Sequence, residues 1–235
     1  PNFMYLLTET ASPFALERWA AFFANFGQFA KGFFYTLGIS IGALIVALLL
    51  GLIFGAMSST HNKVLRGISR VYVEIFQNTP LLVQFVVVFY GISILTDGHV
   101  MIPISLTAIL CVGVYTGAYI SEIIRTGIEA VPKGQTEAAL SQGFTYADTM
   151  RIIILPQAVR TILPPLTNQV VNLIKNTSTV AIISGADIMF TAKAWAYDTT
   201  NYVPAFAGAA FLYFIMCFPL ATWARRKEEE NKKAY

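Results

Sequence analysis

The chain has 235 residues, of which 56% are hydrophobic and only 12% charged, with a net charge of +3. Soluble domains carry about 25% charged residues, so this composition excludes an ordinary soluble domain and points to an integral membrane protein. The basic excess is too small to suggest nucleic acid as a partner.

Residues 1–30 are aromatic but interrupted by Glu9, Glu17, Arg18 and Asn25. Ser12-Pro13 predicts a helix cap and first turn, after which Phe14, Trp19, Phe22, Phe23 and Phe26 recur at near-helical spacing. A span here would bury Glu17 and Arg18, at about 2.5 to 3.5 kcal/mol for a charge at mid-bilayer. An interfacial helix within residues 1–31 is therefore expected, with a sixth, imperfect span as the alternative. No basic stretch followed by an apolar core opens the chain, so no cleaved signal peptide is expected.

Five stretches are long and apolar enough to cross roughly 30 Å of hydrocarbon. They are 33–56, 71–95, 104–124, 161–183 and 204–224. The fold class predicted is an all-α integral membrane protein with five transmembrane helices in residues 32–226 and a tail, 227–235. Pro103 and Pro204 stand at the starts of the third and fifth spans, where a missing amide costs nothing. Pro80 is expected to break the inner half of the second, and Pro156, Pro164 and Pro165 the inner end of the fourth.

Basic residues orient the chain. With the N-terminus outside, twelve of the 16 lysines and arginines fall in cytoplasmic segments, Lys63, Arg66, Arg70, Arg125, Lys133 and Arg151 among them. Only Arg18, Lys31 and Lys193 lie outside, and Lys175 lies within a span. The positive-inside rule selects this topology, with the C-terminus and the loop 125–156 in the cytoplasm.

That loop is a polar island of two short amphipathic segments. The first, from Gln135 to Gln142, stops at Gly143, which can take the left-handed conformation that ends a helix. Thr145 is placed to cap the second, with Asp148 three residues on, where a capping box usually has Glu or Gln. Met150, Ile152 and Ile153 are expected to form its apolar side, and Pro156 to kink the chain on entering the next span.

No catalytic constellation is visible. Cys111 and Cys217 lie in apolar runs and read as small buried hydrophobes; His61 and His99 stand alone, so no metal site is expected. The phosphate-binding GxxxxGK[ST] pattern is absent, so any nucleotide would sit on another chain.

The spans carry more polarity than packing requires. Asn168, Asn172 and Asn176, at i, i+4 and i+8, place three amides along one face of the fourth span, flanked by Gln169, Lys175, Thr177 and Ser178. Polar groups at that depth normally face a protein interior or a water-filled path. A substrate path is the reading favoured over hydrogen bonding between helices. Gln84 and Tyr115 are candidate wall residues from the second and third spans. Glu122 should pair with Arg125. No carboxylate lies at mid-depth to meet a cationic side chain, so a neutral or acidic amino acid is the expected cargo.

Glu137-Ala138-Ala139, three residues, Gly143, nine residues, Ile153, one residue and Leu155-Pro156 resemble, position for position, the signature loop of binding-protein-dependent ABC importer permeases. The segments 76–84, 119–125 and 172–178 resemble the polar amino acid branch, of histidine, glutamine and arginine type, and the likeness covers roughly residues 32–226. It implies a type I ABC importer permease fold in a bacterial inner membrane. It also implies two cytoplasmic ATPase subunits carrying ATP and Mg, a second permease (the same chain or a similar one), an extracytoplasmic amino acid-binding protein, and surrounding lipid. ATPase docking falls on Glu137, Ala138, Ala139 and Gly143, so the chain is a transport subunit rather than an enzyme. The loops 96–103 and 184–203, with Asp187, Trp195 and Tyr197, would face the binding protein. The alternative class is an ion-coupled secondary carrier for an amino acid, which would need a titratable group at mid-depth.

Overall fold

A computed structural model describes residues 12–233. The first eleven residues of the expected interfacial segment, Glu9 included, and the last two of the tail lie outside the described residues. Elements are α1 (Leu16–Ala24), α2 (Phe26–Ser58), α3 (Lys63–Gln77), α4 (Leu81–Leu95), α5 (Ile104–Glu129), α6 (Lys133–Ser141), α7 (residues 146–176), α8 (Ile188–Thr199) and α9 (Tyr202–Lys233). A 3-10 segment, Thr177–Ile183, continues α7, and no strand occurs among the described residues.

Three of these, α2, α5 and α9, are long and apolar enough to cross a membrane, and α3 with α4 would make a fourth crossing if taken as one bent pair. This differs from the expected five. The stretch 71–95 is not one rod: it breaks at residues 78–80, and its two parts meet at 97°. Pro80 offers no amide donor, while Asn78 Nδ2 and Thr79 Oγ1 donate to the Glu74 and Ile75 carbonyls at 2.8 and 2.7 Å, closing off the end of α3. The stretch 161–183 is α-helical only to Asn176. Its amides and Lys175 keep it too polar to pass as a span by composition.

At the N-terminal end the helix begins at Leu16 rather than at Pro13, with Ala15 as its cap; Ser12 accepts instead from the Phe14 amide at 3.3 Å. Helix α2 starts at Phe26, well before the expected 33, and α9 runs on through the start of the tail.

The core is centred on α5, which packs parallel to α2 through small residues, the contacts running from Gly42–Ile109 to Gly55–Ile124. Ala43, Ala47, Gly51 and Gly55 recur every fourth position on α2 and are all buried. A Cβ at Gly51 would stand 2.4 Å from Ile120 Cγ2, and one at Gly113 would stand 2.7 Å from Val46 Cβ. Close approach of this kind is how helices associate where the surrounding solvent is itself apolar. Phe85, Val112, Leu173, Val180 and Ile183 complete this cluster. A second cluster joins α1, the start of α2, α8 and α9: Phe22 and Phe29 lie edge-on to Trp195 at 5.9 and 5.7 Å. Outward faces are apolar, with Ile45, Leu49 and Leu52 on α2 and Phe211, Phe214 and Phe218 on α9 all exposed, as a lipid-facing surface requires.

Candidate functional site

The loop between α5 and α7 folds as a helical hairpin. Helix α6 begins after Pro132 and ends in a left-handed glycine: Gly143 has φ +87°, its amide donates to Leu140 O at 3.1 Å, and the Phe144 amide donates to Ala139 O at 3.2 Å. This pair of bonds satisfies two carbonyls that the helix end leaves open. Thr145 then caps α7, its Oγ1 accepting from the Asp148 amide at 3.2 Å. Its hydroxyl donates to Asp148 Oδ2 at 2.5 Å. Asp is one methylene shorter than the Glu of a usual capping box, and its carboxylate takes the cap's hydroxyl.

Glu137, Ala138 and Gly143 are exposed, whereas Ala139 is buried against the base of α7. Leu140, Phe144 and Tyr146 are partly exposed beside them, so the hairpin presents small and apolar groups next to a carboxylate. The buried side of the second segment is formed by Thr149 and Ile154, not by the expected Met150, Ile152 and Ile153; Ile152 is 58% exposed. The reason is a π-helical turn over Thr149–Ile154, which carries more residues per turn and rotates the apolar positions out of the register that a plain helix predicts. The same turn absorbs Pro156, so the chain is continuous there, and Gln157 Nε2 donates to Ile153 O at 2.8 Å. Nor do Pro164 and Pro165 interrupt α7.

A ring contact ties the hairpin to the bundle. The His61 ring, from the loop between α2 and α3, meets Tyr146 edge-on at 5.3 Å. At the end of α5, Arg125 is gripped by Glu122, as expected, and also by Glu129, at 2.6 Å. His61 looked isolated in the sequence because its partner is distant in the chain.

The transport-path candidates separate into two groups. Asn168, Asn172, Lys175 and Asn176 lie on one face of α7, Asn168 and Lys175 exposed and the other two half-buried. The three amides make no hydrogen bond among the described residues. Lys175 lines a shallow cavity of about 280 Å³ with Ser178 and Tyr213. Gln84, Tyr115 and Thr177 are not brought to this face. Gln84 is buried at the start of α4, where its Nε2 donates to the Phe76 and Thr79 carbonyls at 3.2 and 3.0 Å and spans the break after α3. Tyr115 Oη pairs with Tyr119 Oη at 3.1 Å. Thr177 is fully buried and donates to Ile174 O at 2.7 Å.

Asp187 and Trp195 do not face outward as expected. Both are buried, and of the three only Tyr197 is exposed. Asp187 caps α8, accepting from the Phe190 and Met189 amides at 2.9 and 3.1 Å and from Tyr213 Oη at 2.9 Å. Thr36 Oγ1 accepts from the Ile188 amide alongside. An Asp directly before an apolar helical run is itself a cap signal, and that signal was there to be found. No group of three or more His, Cys, Asp or Glu side chains able to hold a metal ion occurs among the described residues.

A lipid-facing helical bundle with a broken helix pair, an exposed helical hairpin and an amide-lined helix defines a membrane permease subunit. Residues 47–228 match the family described as the binding-protein-dependent transport system inner membrane component, and the chain belongs to that family. It is 37% identical, over 91% of its length and 97% of the relative's, to a protein named as a probable glutamine ABC transporter permease of Bacillus subtilis. To the glutamate/aspartate import permease GltJ of Escherichia coli K12 it is 33% identical, over 81% of this chain and 85% of that one. A crystal structure of an amino acid ABC transporter with histidines superposes with a TM-score of 0.83 at 31% identity, covering 90% of this chain and 98% of its own. The methionine ABC transporter MetNI shares the fold, with a TM-score of 0.68 at 16% identity. Family membership places the chain among inner-membrane components of transport systems that depend on a binding protein, and removes the stand-alone ion-coupled carrier.

Proposed function

We propose that this chain is one membrane half of an ATP-driven importer for a polar amino acid, glutamine and glutamate being the favoured cargo. The relatives named for glutamine and for glutamate and aspartate support the class. So does the amide face, which pairs neutral groups with the cation Lys175 and suits an uncharged or acidic side chain.

One observation carries the mechanism: α7 runs unbroken from Tyr146 in the hairpin to Asn176 at the end of the amide ladder. Hairpin and ladder therefore share a rod roughly 45 Å long. Two cytoplasmic ATPase subunits, holding ATP and Mg, grip Glu137 and Ala138 of each hairpin. Gly143 sets the hairpin's angle, and Ala139 transmits the load to α7. Closure of the ATPases tilts the rod and changes which side of the membrane the amides face, an alternating-access motion. The ladder is open on the surface of one chain, so a second permease, identical or similar, closes the path. With the N-terminus outside, residues 96–103 and Tyr197 lie on the side that receives cargo from an extracytoplasmic binding protein.

Proteoliposomes holding the permease, its co-purified ATPase and the binding protein test this reading. Gly143→Pro, which cannot take a positive φ, is expected to insert and assemble normally while ATP-driven uptake falls to background. Wild-type uptake by that variant would remove the hairpin from the mechanism.

A further inference from the structure

Helix α3 has three faces rather than two. Ser69 and Tyr72 are buried; Ser69 Oγ donates to Phe54 O, and Tyr72 Oη to Val114 O, each at 2.7 Å. Val64, Ile68, Val71 and Ile75, at helical spacing, are between 50% and 69% exposed and form an unpartnered apolar stripe. Between these two faces, counting about 100° per residue, runs a basic edge of Lys63, Arg66 and Arg70.

The basic edge forms one wall of a cleft of about 600 Å³ whose opposite wall is the end of α5, with Glu122, Arg125 and Glu129. On the α5 wall Arg125 takes up both glutamates, which leaves one net negative charge there. The α3 wall carries three cations against Glu74 alone, a net charge of +2. Arg70 stands 3.8 Å from Glu74 with both side chains largely in solvent, a pairing that holds little. Among the described residues neither Lys63 nor Arg66 has an ion pair. The cleft also opens where α2 ends at Ser58 and α5 at Glu129, which is where two membrane-crossing helices reach the headgroup layer.

We propose that this cleft seats an anionic phospholipid, its phosphate on Lys63, Arg66 and Arg70 and an acyl chain along Val64, Ile68, Val71 and Ile75. The charge selects an anion, and the adjoining apolar stripe selects one that carries hydrocarbon. A soluble phosphate would leave the four branched side chains facing water, whereas a lipid covers both faces of the edge at once. The inference needs only that the chain resides in a bilayer, and it stands whatever cargo is moved.

The test uses the full-length chain, purified with its complex and placed in nanodiscs of phosphatidylcholine doped with phosphatidylglycerol. Lipids retained on transfer to the gas phase are counted by native mass spectrometry. The wild type is expected to keep phosphatidylglycerol in preference to phosphatidylcholine. Each charge removed among Lys63→Gln, Arg66→Gln and Arg70→Gln should lower that retention about fivefold, and the triple variant should abolish the preference. Lys193→Gln, on α8 and remote from the cleft, should leave it unchanged. Ile68→Ser with Val71→Ser should also weaken retention, because the acyl seat is lost. These positions are all exposed, so the variants fold, and circular dichroism checks that they do. Undiminished preference in the triple variant would overturn the proposal. So would displacement of the lipid by millimolar inorganic phosphate, which would mark a free-anion site. Crosslinking of Ile68→Cys between two copies would overturn it too, by showing that a second permease covers the stripe.

Discussion

At Asp187 a carboxylate is buried with three donors around it, two helix amides and the Tyr213 hydroxyl. Burial is the largest influence and pushes its pKa above the ordinary carboxylate value, although each of those bonds pulls the other way. A carboxyl whose folded pKa lies above its unfolded one stabilises the fold at low pH, and that contribution is lost as pH rises through the folded value. Thermal stability in detergent should therefore decline as pH rises above the ordinary carboxylate range, and Asp187→Asn, which keeps a cap acceptor without the charge, should flatten the decline. Asp187→Ala leaves the two amides and the Tyr213 hydroxyl without this acceptor and should cost about 1–3 kcal/mol at any pH. A wild-type melting curve independent of pH would refute the assignment. Some residue-level features were legible in the sequence because their causes are local. Gly143 ends a helix and Thr145 starts one through bonds reaching only a few residues. Asp187 was misplaced because an acid next to an apolar run looks solvent-bound until the Tyr213 hydroxyl, 26 positions away, is seen beside it.

Among the elements, the α2–α5 pair sets the frame on which the rest is mounted. At Gly113 an added Cβ meets Val46 Cβ at 2.7 Å and the Ala43 carbonyl at 3.0 Å. Backbone cannot rotate away as a side-chain tip can, so Gly113→Val should force the helices apart, at about 1–3 kcal/mol for overpacking. The expected result is a lower melting temperature and less protein in the membrane, with Gly134→Ala, where nothing lies within 4 Å, as the neutral control. Hydropathy located the long apolar helices because their signal is summed over many residues. It merged the second half of α3 with α4 because residues 71–95 are apolar overall, and the break depends on Asn78 and Thr79 capturing carbonyls, with Gln84 holding the two pieces together. At Pro156 the helical chain carries on through a π-helical turn.

For the whole molecule, the decisive relation is that the hairpin and the amide ladder belong to one helix. On the proposed path Asn172 contacts cargo, and Asn172→Leu would remove that contact without touching the hairpin. One lost hydrogen bond of about 1.4 kcal/mol corresponds to a tenfold fall in uptake, while ATP hydrolysis by the assembled complex should persist. Equal loss of both activities would mean that Asn172 holds the assembly together instead. The class of transport system was legible from the sequence through the hairpin's spacing. The path was legible only in part: Asn168, Asn172, Lys175 and Asn176 share a face, while Gln84, Tyr115 and Thr177 were drawn elsewhere by backbone and hydroxyl partners that no periodicity reveals.

The wide turn at Thr149–Ile154 holds a surplus residue between hairpin and ladder. In an ordinary helix one residue corresponds to about 100° of rotation about the axis. That single extra amino acid therefore fixes the azimuth at which Asn168, Asn172 and Asn176 emerge. The compass bearing of the ladder is set not where the amides stand but several turns upstream, beside the part of the chain on which a motor would pull.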